Sequence, residues 1–393
     1  MSMNLRRVAT AAVAAGAMAV GVAGTAFASD DAPSIEVDAP VVVSPVAGPT
    51  VYRIADRDRI GTAIEAMQTR CWGPDAANNQ ADGASGTIVL ASSENFADAL
   101  AAGPLADVAN APILTTPNGD SLEPRVKAAI AAAHAGTFGK ARCGTKANRV
   151  TIVSGEGVLR AGIVEELNLM GLSVDRYSGA NRYQTSAVIA AAVWNHPGFQ
   201  GNRNAGLDLF FADGDDFPDA LTSGAAAAEH NGVVLLTMGA RGVDTSAALL
   251  ASLNGPYSGT SASAHREIWA VGGNAAKALA NGFGTPANPI EPSNTVVGAD
   301  RYATAAMLAG KVFGNPKDFV VASGENYPDG VVAGAYAANL DAPLLLTANG
   351  AVPTSTADYL KAKVDNRERV FVFGGPSSVS VQVSQDIATY FNY

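Results

Sequence analysis

The chain has 393 residues, of which 48% are hydrophobic and only 16% are charged, and this composition excludes a disordered coat. Its formal net charge of −10 disfavours sequence-independent binding to nucleic acid, which requires basic patches. At about 150 residues per domain, the length predicts two or three folding units.

The first 28 residues are predicted to form a secretory signal peptide. Two arginines precede residues 8–22, an apolar stretch too short to span a bilayer, and Ala26–Ala28 has the small-x-small form of a cleavage site. We therefore expect a secreted protein; the alternative is an uncleaved N-terminal anchor. No later segment has 18 unbroken apolar residues, so we expect no transmembrane anchor. Residues 29–50, rich in Pro, Val, Ala and Asp, are predicted to be a linker.

From residue 51 onward the sequence repeats four landmarks in the same order, three times. The first landmark is a strand followed by a polar turn that enters a helix. Its arginines, Arg59, Arg182 and Arg301, are 123 and 119 residues apart, which is a usual domain size. The predicted modules span residues 51–171, 172–292 and 293–393.

The other three landmarks are short apolar runs with characteristic ends. The second runs into an acidic turn and a small-residue helix, at residues 88–100, 209–221 and 319–331. The third ends at Thr115, Thr237 and Thr347, and the fourth ends at Gly155, Gly273 and Gly375. Continuously apolar strands separated by helical stretches are typical of parallel sheets that are covered on both faces. The sequence therefore predicts an α/β fold of three tandem Rossmann-like modules, each a short parallel sheet between helices.

The acidic turns are the most enzyme-like feature of the repeat. The carboxylate pairs are Glu94 with Asp98, Asp215 or Asp216 with Asp219, and Glu325 with Asp329. Such pairs suit acid–base chemistry or a cation site. The alternative is a capping box, with Asn95, Asp216 and Asn326 as N-caps and the aspartate three positions later. We favour the structural role and expect no catalysis, because an enzyme seldom needs three copies of one active site.

The three repeated arginines also allow two interpretations. A solvent-facing guanidinium could bind a phosphate or carboxylate of a polymer, or it could pair with an acidic turn, and its planar geometry suits both. The hydroxyls of Thr62, Thr185 and Thr304 are expected to bond back within the helix. The runs before Thr115, Thr237 and Thr347 are expected to be core strands.

The remaining motifs predict no cofactor and no metal. The pairs Gly272–Gly273 and Gly374–Gly375 do not complete a Gly-x-Gly-x-x-Gly or a Walker sequence. The four histidines, His134, His196, His230 and His265, show no metal-ligand spacing. Cys71 and Cys143 are predicted to form a disulfide in an oxidising compartment; the alternative is two separate buried thiols.

Taken together, the repeated motifs resemble the cell wall-binding repeat 2 family over residues 51–393. The third copy is nearly ideal, with Gly298–Ala305, Ser323–Asp329, Leu344–Thr347 and Gly374–Gly375. The second copy differs slightly, with Asn181 in place of Asp. The first copy departs most, because Asp56, Ile60 and Ala97 replace the family's Gly, Tyr and Pro.

The resemblance implies three copies around a pseudo-threefold axis that attach surface proteins of Gram-positive cells non-covalently to anionic wall polymers. The resemblance implies a location at the cell wall or cell surface, with a teichoic-acid-like polymer or a polysaccharide as partner. With the predicted signal peptide and the structural role favoured for the acidic turns, we expect a secreted, non-catalytic protein. The candidate polymer-binding residues are Arg182, Arg301, Thr185, Thr304, Leu235, Leu236, Leu345 and Leu346. The alternatives are a wall-associated hydrolase that uses the acidic turns and a structural surface-assembly protein without a dedicated glycan site.

Overall fold

The continuously apolar runs of the sequence form β-strands that are buried along their whole length. Val233–Thr237, for example, has five residues in sequence and all five are buried. Burial on both faces leaves no polar alternation along the strand, which is why these runs are apolar throughout.

The structure, a computed structural model, describes residues 41–42, 50–72, 86–138, 146–199, 207–244, 267–282, 289–363 and 368–390. The strands are β1 Val41–Val42, β2 Thr50–Ile54, β3 Thr87–Ser92, β4 Ile113–Thr116, β5 Arg149–Ile152, β6 Ser173–Arg176, β7 Leu209–Asp213, β8 Val233–Thr237, β9 Ile268–Val271, β10 Asn294–Val296, β11 Asp318–Ser323, β12 Leu344–Thr347 and β13 Arg369–Phe373. The helices are α1 Arg59–Trp72, α2 Gly103–Val108, α3 Pro124–Ala135, α4 Ala161–Leu169, α5 Arg182–Asn195, α6 Pro218–Glu229, α7 Gly273–Asn281, α8 Arg301–Val312, α9 Pro328–Ala338, α10 Thr354–Lys363 and α11 Val381–Thr389, with a 3₁₀ helix at Phe96–Ala101.

The strands form three parallel four-stranded sheets of the same topology. The first sheet has the order β4-β3-β5-β6, the second β8-β7-β9-β10 and the third β12-β11-β13-β2, with β1 antiparallel to β2 at its outer edge. The predicted α/β fold of three modules is thereby confirmed. In each sheet the strand order reverses beside the first central strand, and the carboxyl ends there form the crevice in which such sheets usually hold ligands.

Each sheet takes its last strand from the beginning of the next sequence copy. β6 pairs with β5 and β10 pairs with β9, although both strands lie beyond the predicted limits at 171/172 and 292/293. In the third sheet, β2 from the start of the repeats pairs with β13, with Thr50 opposite Arg369. The predicted limits therefore describe the sequence copies and stay a prediction. Each hydrogen-bonded sheet includes a strand from beyond the limit of its own copy.

The segment of the first landmark links one sheet to the next. After β2 the chain enters α1, which packs on β4 of the first sheet. In the same way α5 follows β6 and packs on β8, and α8 follows β10 and packs on β12. The strand and the helix of this landmark thus belong to different sheets.

One small-residue helix from each sheet meets the other two at the centre. α2, α6 and α9 pack pairwise against one another, as a pseudo-threefold arrangement requires. A Cβ atom on Gly103 would lie 3.0 Å from the backbone of Gly224, and one on Gly330 would lie 2.6 Å from a methyl group of Leu221. Close packing at this centre therefore depends on the absence of a side chain at Gly103 and Gly330.

Several predictions from the sequence lie outside the described residues, namely those on residues 1–28, on most of the linker at 29–50, on His265, on Cys143 and on the side chain of Cys71. Within the described part of the chain, no helix is both long and apolar enough to cross a membrane.

Candidate functional site

Each repeated arginine donates a hydrogen bond to the acidic turn of its own sequence copy. Arg59 Nη1 donates to Ser93 O over 2.8 Å, Arg182 Nη1 to Gly214 O over 2.7 Å and Arg301 Nη1 to Gly324 O over 2.6 Å. We call these three places junctions 1, 2 and 3. The predicted pairing with an acidic turn is made through a backbone carbonyl at each junction, and Arg301 Nη2 also lies 3.4 Å from the Asp216 carboxylate in the turn of the second copy.

Helix capping sets the position of the arginines. The Asn181 side chain accepts from the backbone N–H of Gln184 over 2.9 Å, and Asp300 accepts from Ala303 over 2.8 Å. These are N-cap contacts, so Arg182 and Arg301 are the first residues of α5 and α8. The cap fixes the direction in which each helix leaves the turn and thus aims the guanidinium at the neighbouring acidic turn.

The candidate threonines Thr185 and Thr304 are buried and close the turn that precedes each helix. Their Oγ1 atoms accept from the N–H groups of Gly179 and Gly298 over 3.0 and 3.1 Å. Thr304 Oγ1 also donates to Asp300 O, so the expected bond within the helix is present there. A Cβ on Gly298 would lie 2.3 Å from the Thr304 nitrogen, which explains the glycine at this position. Polymer contact through these threonines stays a prediction.

The candidate leucines lie in the cores of the second and third sheets. Leu235 and Leu236 in β8 and Leu345 and Leu346 in β12 have exposed fractions of 0%. Such burial favours the core interpretation of these runs. Polymer contact through the leucine side chains stays a prediction.

The acidic turns do not form the predicted capping boxes. Asn95 is the N-cap residue of the 3₁₀ helix, as predicted, but its side chain accepts no capping hydrogen bond. The N-cap residues of α6 and α9 are Phe217 and Tyr327, and neither makes a side-chain cap. Each is followed by a proline at the first helical position, which has no N–H to be capped. The turn amides bind instead to the residue that ends the strand: Ser323 Oγ accepts from Glu325 and Asn326 over 3.1 and 3.3 Å.

Asp98, Asp219 and Asp329 point into the crevice at the carboxyl ends of their own sheets. A Cβ on Gly272 would lie 1.9 Å from Asp219 Oδ2, and one on Gly374 would lie 2.8 Å from Asp329 Oδ2. In the first sheet Asp98 accepts from the backbone N–H of Gly155. The protein's own carboxylates therefore fill the crevices where a nucleotide would bind in related topologies.

Each of these aspartates also faces the linking segment that leaves its sheet. Asp98 bonds to Thr185 and lies near Arg182, and burial raises its pKa. Asp329 bonds to Ser378 and Thr62 and lies near Arg59, and burial raises its pKa as well. Each aspartate thus connects the glycine turn of its own sheet to the arginine and threonine of the helix that packs on the next sheet.

Asp219 is the most perturbed of the three. Burial, followed by the neighbouring carboxylates Asp216 and Asp213, raises its pKa to about 7, and Arg301 opposes the rise. An unperturbed aspartate has a pKa of about 3.9, so the folded protein binds this proton more tightly than the unfolded chain does.

We expect Asp219→Asn to change how stability depends on pH. Because the pKa is raised on folding, the wild type loses stability as the pH rises from about 4 through about 7. Asparagine does not titrate, so the stability of the variant relative to wild type should increase by about 3 kcal/mol between pH 4.5 and 7.5. Urea unfolding across this range measures it. Asp358→Asn, at an exposed position of α10, is the control, and a pH-independent difference for Asp219→Asn would contradict the raised pKa.

The acidic turns also carry carboxylates that lie outside the crevices, and these have different partners from Asp98, Asp219 and Asp329. At junction 2, Tyr183 donates its hydroxyl to Asp215 Oδ1 over 2.5 Å, and Arg241 pairs with Asp215 Oδ2 at 2.9 Å. At junction 3, Glu325 is exposed and its charge helps to raise the pKa of Tyr302, after the larger effect of burial. Junctions 2 and 3 therefore share a half-buried tyrosine beside an arginine. Junction 1 has the buried Ile60 at that position.

Aromatic residues connect the three acidic turns. Arg301 lies 5.7 Å above the ring of Phe217 and its Nη2 is 3.4 Å from Asp216 Oδ2, so the third copy contacts the second. The ring of Tyr327 lies 6.1 Å from that of Phe217, and its hydroxyl donates to Glu94 O over 2.9 Å. Phe217 and Tyr327 were not singled out in the sequence, although an aromatic residue recurs at this position of the second landmark.

Comparison with known families identifies the repeat. The model of one family, Cell wall binding domain 2 (CWB2), matches residues 53–164, 176–278 and 295–384. Each match begins in the strand that completes the preceding sheet around the ring.

Comparison with individual proteins gives relatives that are longer than this chain. N-acetylmuramoyl-L-alanine amidase LytC of Bacillus subtilis (strain 168) is 24% identical over 350 residues, which are 88% of this chain and 60% of the relative. Cwp6 from Clostridium difficile has a TM-score of 0.67 at 23% identity, over 88% of this chain and 48% of its own. Cwp8 from the same organism has a TM-score of 0.62 at 22% identity, over 87% and 52%. At this identity, the two structures support the fold alone.

Proposed function

Because the chain belongs to the Cell wall binding domain 2 (CWB2) family, we propose that it binds an anionic cell-wall polymer non-covalently through its three junctions. We further propose that it is secreted, on the strength of the signal-peptide pattern in residues 1–28. The observation that carries the proposal is the repetition at each junction of an arginine that is already oriented by a backbone carbonyl.

The arginines suit recognition of phosphate or carboxylate groups. One Nη of each is held by a carbonyl, so less side-chain freedom is lost when the guanidinium binds an anion. Arg182 and Arg301 are half-buried beside Tyr183 and Tyr302, which offer an aromatic face to a sugar ring. We therefore place the principal contacts at junctions 2 and 3.

Three weak sites on one chain can give strong overall binding. Once one junction holds the polymer, the others meet it at a high effective concentration, provided that the polymer reaches them. The contacts of Tyr327 with Phe217 and Glu94 tie the three turns together, which favours simultaneous binding. Such binding would hold the protein at the cell wall or cell surface.

The contacts of the acidic turns support a non-catalytic role. Glu94 accepts from the N–H of Asn118, whereas Asp98 faces Gly155 and Thr185. Asp215 is held by Tyr183 and Arg241, on a different set of partners from Asp219. A pair of catalytic carboxylates has to face one substrate from two sides, and these carboxylates are each engaged elsewhere. The chain covers 60% of the LytC relative, and we do not extend the amidase activity of that protein to it.

A binding assay of the mature chain against fractionated wall polymers, repeated over a salt series, tests the proposal. We expect retention on the anionic polymer that weakens steeply as salt rises. Equal binding to walls stripped of their secondary polymers would contradict polymer recognition and favour the surface-assembly alternative. Clearing of purified walls in a zymogram, lost in Asp219→Asn and Asp329→Asn, would favour the hydrolase alternative instead.

Replacing the junction arginines should weaken polymer binding. We expect Arg182→Gln and Arg301→Gln each to lower the affinity about tenfold or more, because a hydrogen bond to a charged group contributes about 1.5–3 kcal/mol. The control is Lys311→Gln, since Lys311 is exposed in the last turn of α8, at the opposite end of the helix from Arg301. Arg182→Gln and Arg301→Gln should also make polymer binding less dependent on salt concentration. Unchanged affinity in folded Arg182→Gln and Arg301→Gln proteins would remove the junctions from the binding site.

A further inference from the structure

A second cluster of polar side chains lies at the opposite end of the middle sheet. Asp208 directly precedes β7, Glu267 directly precedes β9 and His230 follows the last residue of α6. One potential ligand atom from each lies within 4.8 Å of the other two, and His230 Nδ1 is 3.0 Å from Asp208 Oδ2. These residues are separated by 22 and 37 positions, so they show no metal-ligand spacing in the sequence.

The other two sheets have an arginine where the middle sheet has Glu267. The strand registers place Arg149 opposite Thr87 in the first sheet and Arg369 opposite Asp318 in the third. Arg369 holds Asp318 with two hydrogen bonds of 2.6 and 2.7 Å, and Arg149 pairs with Asp175.

The middle sheet therefore brings two carboxylates together. At the equivalent position, each of the other two sheets has an arginine that pairs with a carboxylate. Leu209 lies opposite Ile268, so Asp208 and Glu267 face each other one residue earlier. Two adjacent carboxylates in a partly buried place require a positive partner.

The histidine is also particular to the middle sheet. The residue that follows His230, Asn231, has a positive φ of 51°. Asn110 and Asp341, with φ of 46° and 50°, are its equivalents in the other two copies, and they align the three sequences. The preceding residues are Ala109, His230 and Leu340. Only the middle copy thus combines a nitrogen ligand with two carboxylates.

Surrounding groups orient all three side chains. Asp208 Oδ1 accepts from the backbone N–H of Glu267 over 3.0 Å, and Glu267 Oε2 accepts from Asn294 Nδ2 over 3.0 Å. The imidazole packs edge-on against Phe210 and Trp269, with ring centroids 5.9 and 5.3 Å away. Metal-binding carboxylates and histidines are usually held by such outer contacts.

We propose that Asp208, His230 and Glu267 bind a divalent cation, with Zn²⁺ as the best match. One imidazole nitrogen and two carboxylate oxygens form a ligand set that Zn²⁺ accepts with water in the fourth place, whereas Ca²⁺ and Mg²⁺ prefer oxygen alone. The cation balances the two carboxylates as arginine does in the other sheets. It also ties the starts of β7 and β9 to the end of α6, so its effect is on the stability of the middle sheet.

Titration calorimetry and thermal unfolding of the chelator-treated full chain with ZnCl₂, CaCl₂ and MgCl₂ test the proposal. We expect one Zn²⁺ bound at this site, with the unfolding equilibrium constant falling about 100-fold at a free Zn²⁺ concentration 100 times Kd. Ca²⁺ and Mg²⁺ should bind far more weakly. Glu156→Gln, at an exposed acidic position, is the control and should bind Zn²⁺ as the wild type does.

Two variants copy residues from the other sheets. Glu267→Arg restores the arginine of the first and third sheets, and His230→Leu installs the residue of the third. Both should abolish the stabilisation by Zn²⁺ while remaining folded by circular dichroism. Because the two variants alter the site in different ways, misfolding of one leaves the other as the test. Absence of Zn²⁺ binding up to 100-fold molar excess, equal binding in a folded variant, or tighter binding of Ca²⁺ than of Zn²⁺ would each overturn the proposal.

Discussion

Arg53→Ala should lower the free energy of unfolding by about 3 kcal/mol, because it removes the hydrogen bonds of a buried guanidinium to four neutral acceptors. Arg53 lies on β2 with only 9% of its surface exposed. Its Nη1 donates to Gly374 O and Val379 O over 2.6 and 2.8 Å. Its Nη2 donates to Ser380 O and Ser384 Oγ over 2.8 and 2.5 Å. Alanine would leave these buried acceptors without their donor and would loosen β2 from the third sheet.

Urea unfolding of the variant, followed by circular dichroism, measures this effect. Arg57→Ala is the matched control four residues later, and its side chain is 88% exposed, so we expect a change within about 0.5 kcal/mol. Arg53→Lys keeps the charge but cannot reproduce the forked contacts, and it should fall between the two. Equal stability of Arg53→Ala and Arg57→Ala would show that the contacts of Arg53 do not hold the sheet closed.

Gly272→Ala should destabilise the protein by about 3 kcal/mol for two separate reasons. Gly272 has a φ of 89°, a conformation that costs a residue with a side chain about 1–3 kcal/mol. The new methyl group would also lie 1.9 Å from Asp219 Oδ2, so the carboxylate would have to leave the crevice. Displacing a well-packed buried group costs about 1–3 kcal/mol more.

The adjacent glycine provides the control for this prediction. A Cβ on Gly273 has no neighbour closer than 3.8 Å, and its φ is not positive, so Gly273→Ala should be tolerated at the start of α7. In an Asp219→Ala background the collision disappears and only the backbone strain remains. The effect of Gly272→Ala should therefore shrink in a double-mutant cycle measured by urea unfolding. An undiminished effect in that background would contradict contact between the two residues.

The strands and the repeat could be predicted from the sequence because they depend on local pattern. Each apolar run became a strand, and the polar turns at Asn181 and Asp300 became N-caps. The sequence does not predict that each sheet is completed by a strand from the next copy. The residues of β6, β10 and β2 do not indicate which sheet these strands join. Pairing is decided by packing over long distances and not by the composition of the strand itself.

The candidate site was predicted less completely, and the acidic turns show why. The spacing of Asp216 and Asp219 fits a capping box as well as a buried side chain that faces a glycine. The choice depends on Gly272, which is more than 50 residues away in the sequence and adjacent in the fold. The cluster of Asp208, His230 and Glu267 is a similar case, because each ligand comes from a different element.

The strand exchange has a consequence for how the chain folds as it is made. The first and second sheets can each be completed when the strand after them emerges. The third sheet needs β2, whose Thr50 lies opposite Arg369 across 319 positions of sequence. β2 therefore stays unpaired in the third sheet while most of the chain is synthesised, and bringing such distant segments together is entropically slow. The first two sheets can form in order along the chain, whereas the third can form only when β13, near the end of the chain, is available to pair with β2.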